Sequence, residues 1–142
     1  MSAEITRETM KGYMQALLAF GDYSRYLAED VKVSFMGTDR AVSGREAARQ
    51  LITFIHTQAF KTDVQIKGLV CGDGHAMAEA EFIGTHVGAF EGIPATHRNV
   101  RVPYGVAYDL TGGEITELRL YFPLDLLVKQ LTGAEELAHQ SA

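Results

Sequence analysis

Residues 83–96 read IGTHVGAFEGIPAT, and this stretch decides how the fold is interpreted. Its three glycines, Gly84, Gly88 and Gly92, are spaced four residues apart. A phosphate-binding loop needs glycines that lead into the N-terminus of a helix. Here the glycines leave one strand-like segment and enter another through Pro94. The stretch therefore does not read as a phosphate cradle, and it predicts glycines that relieve crowding where a long strand bends.

The residues on both sides of this stretch alternate in hydrophobicity with a period of two, as strands do. From residue 77 to 87, the even positions are small or apolar and include Phe82, whereas the odd positions carry acids. His86 lies on the apolar face, so its side chain is expected to point into the protein interior. Residues 99–110 and 114–122 alternate in the same way, with a glycine turn between them. Together with one segment before them, they predict a meander of four long strands.

The first 60 residues have a helical period instead. Apolar residues recur every three or four positions in the first 18 residues and again over residues 48–59. Ser43 and Glu46 have the spacing of a capping box that would open the later helix. A strand containing Phe35 lies between these helices, and Pro123 precedes a closing helix. This order predicts an α+β fold, in which a cone-shaped antiparallel or mixed sheet wraps around the N-terminal helices and leaves room for a small ligand.

Composition narrows the class of protein. A length of 142 residues is expected to form one domain over residues 1–142, and 46% hydrophobic residues suit a globular protein. No apolar run approaches the roughly 20 residues that cross a bilayer, and the first residues lack a signal-peptide core. A formal charge of −5 with scattered basic residues argues against nucleic-acid binding. We therefore expect a cytoplasmic protein with neither membrane nor nucleic-acid partners.

These segments, with GREAA at residues 44–48, GTHVGAFEGIPAT at 84–96 and YF…QL near the end, resemble the SnoaL-like polyketide (ester) cyclases of the nuclear transport factor 2-like superfamily. The resemblance covers nearly the whole chain. It implies a conical, cystatin-like α+β barrel with a hydrophobic pocket, no metal or organic cofactor, and a homodimer. In such cyclases an aspartate on a late strand acts as general acid and base in an aldol closure. Leu120 and Pro123 stand where acids of this kind are expected.

The candidate catalytic residues are His86, Tyr104 and Asp39. An imidazole with a pKa near 6.5 exchanges protons near neutral pH, although a histidine at a strand end also serves simply to bond the following turn. Tyr104 or Tyr108 can donate a hydrogen bond to a developing enolate, but buried tyrosines are often ordinary core residues. Asp39 follows the first strand, where it either supplies the missing acid or forms a surface turn.

The predicted substrate-binding residues are apolar or aromatic and belong to the inward faces of the predicted strands and to the loop after residue 86. They are Phe35, Phe82, Phe90, Tyr108, Leu118, Leu120 and Phe122. The opposite face of the last strand carries Glu117 and Arg119, which are expected in solvent or at a dimer interface. The five histidines form no HxH or HxxxH pair and the single cysteine has no partner of its kind, so no metal site is expected.

Three functions remain open at the level of the sequence. The first is a cofactor-independent protein that binds a small apolar carbonyl compound and catalyses aldol cyclisation, isomerisation or dehydration by proton transfer. The second is a non-catalytic ligand-binding or accessory protein, because both expected acids are missing. The third is water activation, as in the epoxide hydrolases of this superfamily, which requires an inward-facing Asp–Arg–Asp relay that the pattern does not provide.

Overall fold

A computed structural model of the protein describes residues 2–133, which form three α-helices packed on one curved, seven-stranded sheet. The helices are α1 (Ala3–Leu18), α2 (Arg45–Thr53) and α3 (Leu124–Thr132). The strands are β1 (Leu27–Phe35), β2 (Ala41–Ser43), β3 (Phe60–Thr62), β4 (Gln65–Gly72), β5 (His75–His86), β6 (Asn99–Thr111) and β7 (Glu114–Tyr121). The predicted α+β fold is confirmed. Within the described part of the chain, no helix is long and apolar enough to cross a bilayer.

The strand order in the sheet is β2-β1-β7-β6-β5-β3, with β4 paired to the same edge of β5 as β3. Strands β4 to β7 form an antiparallel meander, which the period-two pattern predicts. Strand β1 instead runs parallel to β7, so the sheet is mixed. Strands β3 and β4 pair with successive parts of the same edge of β5, so the long strand β5 holds both of them in one sheet.

Burial along β5 alternates without interruption, and the even-numbered residues are the buried ones. Phe82 and His86 are among them, at 2% and 0% exposure. Strand β6 shows a similar alternation, with Val102 and Tyr108 on its buried face. The inward face that the sequence predicts for both strands is therefore confirmed, and it is the concave face on which the helices pack.

The glycines of the stretch 83–96 permit close contact between backbones. A Cβ atom at Gly88 would lie 2.4 Å from the carbonyl oxygen of Gln58, and one at Gly84 would lie 2.9 Å from that of Lys61. Real Cβ atoms do not approach other atoms this closely. The predicted relief of crowding is confirmed at these two positions, where the end of β5 and the residues after it lie against residues 58–62.

The predicted capping box at the start of α2 is wrong. Ser43 belongs to β2 and pairs with Lys32 of β1, so its backbone is part of the sheet and not of a helix cap. Gly44 precedes the helix with a φ of 97° and provides no side-chain cap. Glu46 instead accepts hydrogen bonds from Arg49 within the helix.

The end of α2 also differs from the uninterrupted helix that the apolar stripe predicts. From Phe54 to Ala59 the chain forms a π-helical segment and then enters β3, a strand of three residues. Strand β3 places Phe60 directly opposite His86 of β5. Such π-helical turns are rare and are frequently found at functional sites.

Helix α3 completes the sheet through one side chain. The Gln130 amide accepts a hydrogen bond from the Arg101 backbone N–H and donates one to the Arg101 carbonyl, both at 2.9 Å. Strand β7 pairs with β6 only from Gly105 onward, so Arg101 has no neighbouring strand on that side. Gln130 therefore takes the place of a missing strand and fixes α3 across one end of the concave face.

Candidate functional site

The concave face of the sheet and the helices enclose a cavity of about 70 Å³. This volume exceeds the roughly 15 Å³ that one water molecule requires but is smaller than the roughly 300–1,000 Å³ of pockets for drug-sized ligands. Side chains from α1, α2, α3, the π-helical segment and five strands line it, together with Phe90 and Phe122 from the connecting segments. All the residues predicted to bind substrate are on its wall: Phe35, Phe82, Phe90, Tyr108, Leu118, Leu120 and Phe122. That they contact a substrate stays a prediction.

A wider outer cleft of about 490 Å³ adjoins the cavity, bounded by the β1–β2 loop and the β5–β6 connection. The cavity and this cleft share Phe35 and Phe90 in their walls. Asp39 lies in the outer cleft and does not line the cavity. Its neighbour Arg40 forms an ion pair with Glu91 across the cleft. Asp39 therefore lies in a loop at the rim of the pocket, and its role as an acid supplied from that loop stays a prediction.

Three tyrosines bring hydroxyl groups to the cavity, whose wall is apolar apart from them and His56: Tyr13 of α1 and Tyr104 and Tyr108 of β6. The rings of Tyr13 and Tyr108 meet edge to face, with centroids 5.9 Å apart. Burial raises the pKa of Tyr104 to about 12 and raises the pKa values of Tyr13 and Tyr108 well above their usual range. All three are therefore neutral phenols that keep their protons at physiological pH.

None of these three hydroxyls has a hydrogen-bond partner within residues 2–133. Among residues 2–133, His86 Nε2 is the one buried side-chain polar atom without a partner, so the three hydroxyls stay open to the space inside the cavity. A ligand oxygen can accept hydrogen bonds from these O–H groups. The arrangement therefore favours a ligand that combines an apolar body with an oxygen acceptor.

His56 of the π-helical segment lines the same cavity. Its Nδ1 lies 2.8 Å from the Ile52 carbonyl oxygen, which can only accept, so Nδ1 carries the proton and Nε2 has a free lone pair. The imidazole meets the Phe82 ring edge to face at 6.3 Å. Burial lowers the pKa of His56 below its usual value, which keeps the ring neutral at pH 7. Sequence reasoning missed His56, although its position four residues after Ile52 places it beside the apolar stripe of the helix.

His86 is buried on the predicted face, but it does not line the cavity. The ring of Phe60 lies 5.3 Å from the imidazole and itself forms part of the cavity wall. His86 Nδ1 accepts hydrogen bonds from the Thr96 backbone N–H at 3.1 Å and from its hydroxyl at 3.0 Å. The expectation that His86 lines the cavity is therefore wrong, whereas an acid/base role for it stays a prediction. Its contacts fix the connection between β5 and β6, which is the alternative that the sequence left open.

The charged face of β7 lies outside the cavity, as predicted. Arg119 donates two hydrogen bonds to the Asp109 carboxylate, at 2.6 and 3.1 Å, and lies 3.5 Å from Glu117. The Arg119 guanidinium holds the pKa of Asp109 below its usual range. No Asp, Glu, Lys or Arg is among the described residues that line the cavity. Residues 2–133 also contain no cluster of His, Cys, Asp or Glu that could hold a metal ion.

Known proteins resemble this chain in sequence and in fold. A family model described as SnoaL-like polyketide cyclase matches residues 13–131. A search of curated proteins gives no match. Among solved structures, one described as a SnoaL-like polyketide cyclase from Jannaschia sp. CCS1 has a TM-score of 0.81 at 19% identity, covering 90% of this chain and 92% of that chain.

Two further structures illustrate the range of proteins with this fold. One described as a polyketide cyclase from Xanthomonas campestris pv. campestris has a TM-score of 0.76 at 20% identity, covering 90% of this chain and 97% of that chain. An M. tuberculosis LEH-like epoxide hydrolase has a TM-score of 0.69 at 18% identity, covering 98% of both chains. Identities this low show a common fold, whereas function depends on the groups in each site.

Proposed function

This chain belongs to the SnoaL-like polyketide cyclase family, and on that premise we propose that it binds a small apolar carbonyl compound and catalyses proton transfer at the carbon next to the carbonyl, without a cofactor. One observation carries the proposal: three neutral, unpartnered phenols line a cavity whose other lining side chains, except His56, are apolar. A carbonyl oxygen is an acceptor only, and it complements a group of O–H donors.

The proposed chemistry begins with the carbonyl oxygen among the hydroxyls of Tyr13, Tyr104 and Tyr108. When a proton leaves the adjacent carbon, negative charge develops on that oxygen and strengthens each hydrogen bond that it accepts. The apolar surroundings increase this electrostatic stabilisation, because little water screens the charge. The resulting enolate either attacks a second carbonyl, which is an aldol closure, or is protonated elsewhere, which is an isomerisation.

The shape of the site supports a substrate larger than the cavity alone. The outer cleft continues from the cavity past Phe35 and Phe90. A compound with its reacting carbonyl in the cavity would extend the rest of its body into the outer cleft, near Arg40 and Asp39. A polyketide-like chain or fused ring system satisfies this requirement.

Binding of 2-indanone, a flat apolar ketone, tests the proposal against indane, the same skeleton without the oxygen. We expect calorimetry to show at least tenfold tighter binding of 2-indanone, and we expect Tyr104→Phe to lose about 5- to 30-fold of that affinity, since one hydrogen bond of about 1–2 kcal/mol disappears. Tyr26→Phe is the control, because Tyr26 lies outside the cavity and bonds Arg25. Equal affinity for indane and 2-indanone would contradict the proposal.

A non-catalytic binding protein is the second candidate, and the absence of any carboxylate among the described cavity residues favours it. It predicts ketone binding without any exchange of the protons next to the carbonyl. Water activation of the epoxide-hydrolase type has no such support, because the described cavity wall contains no Asp–Arg–Asp set.

We also propose a homodimer in which the outer faces of two sheets pair. Val70 and Met77 are neighbours across β4 and β5, and both side chains are exposed. Tyr121 is half-exposed on the same sheet, and the ion pair of Arg119 with Asp109 joins the neighbouring strands β7 and β6. A face of this kind suits a two-fold contact with its own copy. Sedimentation at micromolar concentration is expected to give a dimer for the wild type and a monomer for Val70→Asp. A monomeric wild type would contradict the proposed homodimer.

A cytoplasmic location stays a prediction.

A further inference from the structure

We infer that His56 is the catalytic base of this reaction, an inference that rests on the proposed function. The base must reach the carbon next to the carbonyl, lack a proton at neutral pH and return the proton afterwards. The position, tautomer and surroundings of His56 meet these three requirements.

The position of His56 gives it access to both the ligand and water. A surface cleft of about 310 Å³ lies between the end of α1 and α2, bordered by Asp22, Tyr23, Arg49 and Thr57. Its wall and the cavity wall have Leu17, Ile52 and His56 in common. Leu17 and Ile52 have no group that transfers protons. The imidazole is therefore the titratable group among the side chains that the two walls have in common. Through the surface cleft it can exchange a proton with water while a ligand fills the cavity.

The tautomer of His56 is fixed by the backbone. Because Nδ1–H donates to the Ile52 carbonyl, Nε2 is the atom that accepts a proton. The Nδ1 contact is the one hydrogen bond of the His56 ring within residues 2–133, so Nε2 keeps its lone pair. A fixed Nδ1–H bond also stabilises the imidazolium that forms when Nε2 is protonated.

One aromatic ring lies next to both the proposed base and one of the phenols that would bind the oxygen. Phe82 lies with its ring centroid 6.3 Å from that of His56 and 6.5 Å from that of Tyr104. A ketone against Phe82 therefore has an imidazole and a phenol within reach of neighbouring atoms. The other candidates do not meet this condition, because His86 lies behind Phe60 and no described carboxylate lines the cavity.

The reaction step needs no oxidant, reductant or further reagent. The C–H bond next to the carbonyl breaks, and its proton forms a bond with Nε2 of His56. The electron pair of that C–H bond becomes a carbon–carbon double bond, and the carbonyl oxygen gains the negative charge among the phenol hydroxyls. The imidazolium then returns its proton to the product or to water in the surface cleft.

Exchange of the 2-indanone α-protons in D₂O, followed by proton NMR and corrected for the protein-free rate, tests this inference. We expect His56→Gln to lose about 100-fold or more of the protein-catalysed exchange, in the range of general-base catalysis. Its affinity for 2-indanone is expected to stay within about threefold of the wild type, because the phenols bind the oxygen. His75→Gln is the control, since His75 is an exposed residue paired with Asp109 on the outer face.

Two further readouts separate a catalytic base from a structural residue. Added imidazole is expected to restore exchange in His56→Ala but not to accelerate the wild type beyond its background. The wild-type rate is expected to be level above about pH 6.5 and to fall at lower pH, because burial lowers the pKa of His56 and only the neutral ring accepts a proton. The His56→Gln and His56→Ala variants are expected to show no such fall in rate at lower pH.

The possible outcomes distinguish the two proposals. If the wild type does not bind 2-indanone, the proposed function fails and His56 has no substrate to act on. If 2-indanone binds and exchanges equally fast with His56→Gln, the proposed function stands and the role of His56 is overturned. Thr57→Phe, compared with Thr57→Val, tests the path to water: slower exchange in the phenylalanine variant alone supports it, and equal rates contradict it.

Discussion

Replacing Gly88 with alanine is expected to lower the free energy of unfolding by about 1–3 kcal/mol, the usual cost of forcing an extra methyl group into a packed site. The new Cβ would lie 2.4 Å from the Gln58 carbonyl oxygen and 3.3 Å from its carbonyl carbon. Both are backbone atoms, so no side-chain rotation removes the clash. The Val87 and Gly88 N–H groups also bond the Ala59 carbonyl at 2.9 and 3.0 Å, so separating the two segments breaks hydrogen bonds.

Urea denaturation of Gly88→Ala and Gly68→Ala measures this effect against a matched control. Gly68 lies in β4 with no atom within 4 Å of its would-be Cβ. Its replacement by alanine is expected to leave stability unchanged or to raise it by up to about 1 kcal/mol, because alanine lowers the entropy of the unfolded chain. Equal losses in the two variants would show that the contact with Gln58 is not the reason for glycine at position 88.

The inward faces of the long strands could be predicted because alternation is a local property of extended backbone. One face of β5 carries Phe82 and His86, and a face of β7 carries Leu118 and Leu120. Once a strand is recognised, these facings follow without knowledge of its neighbours. For the same reason the outward position of Arg119 was predictable.

The chemistry of the site was less predictable, because it depends on long-range contacts. Strand β3 has three residues, too few to show a period, so the pattern gives no sign that Phe60 lies between His86 and the cavity. The π-helical segment changes which side chains share a face after Thr53, and a period of 3.6 cannot indicate that change. His56 was therefore overlooked and His86 was wrongly expected on the cavity wall for the same reason: the path of residues 54–62 is determined by packing against β5.

Phe60→Ala is expected to have the largest effect on stability of the substitutions considered, a loss of about 3–5 kcal/mol, as for other buried phenylalanines cut back to alanine. Phe60 is 0% exposed and contacts the rings of Phe82 and Phe90, with centroids 5.2 and 5.3 Å away, in addition to His86. The lost contacts come from both the cavity wall and the anchor of the β5–β6 connection. Urea denaturation measures the loss, and Phe60→Leu, expected to cost less, provides a folded variant if the alanine variant does not fold.

The same substitution tests whether Phe60 is what separates His86 from a ligand. In the wild type, 2-indanone is expected to shift the Cε1 proton resonance of His56 and to leave that of His86 unchanged, because the Phe60 ring covers the imidazole. In Phe60→Leu or Phe60→Ala, the smaller side chain opens a passage, and the His86 resonance is expected to respond as well. A response of His86 in the wild type would mean that Phe60 does not isolate it, and would return His86 to consideration as a group that acts on the ligand.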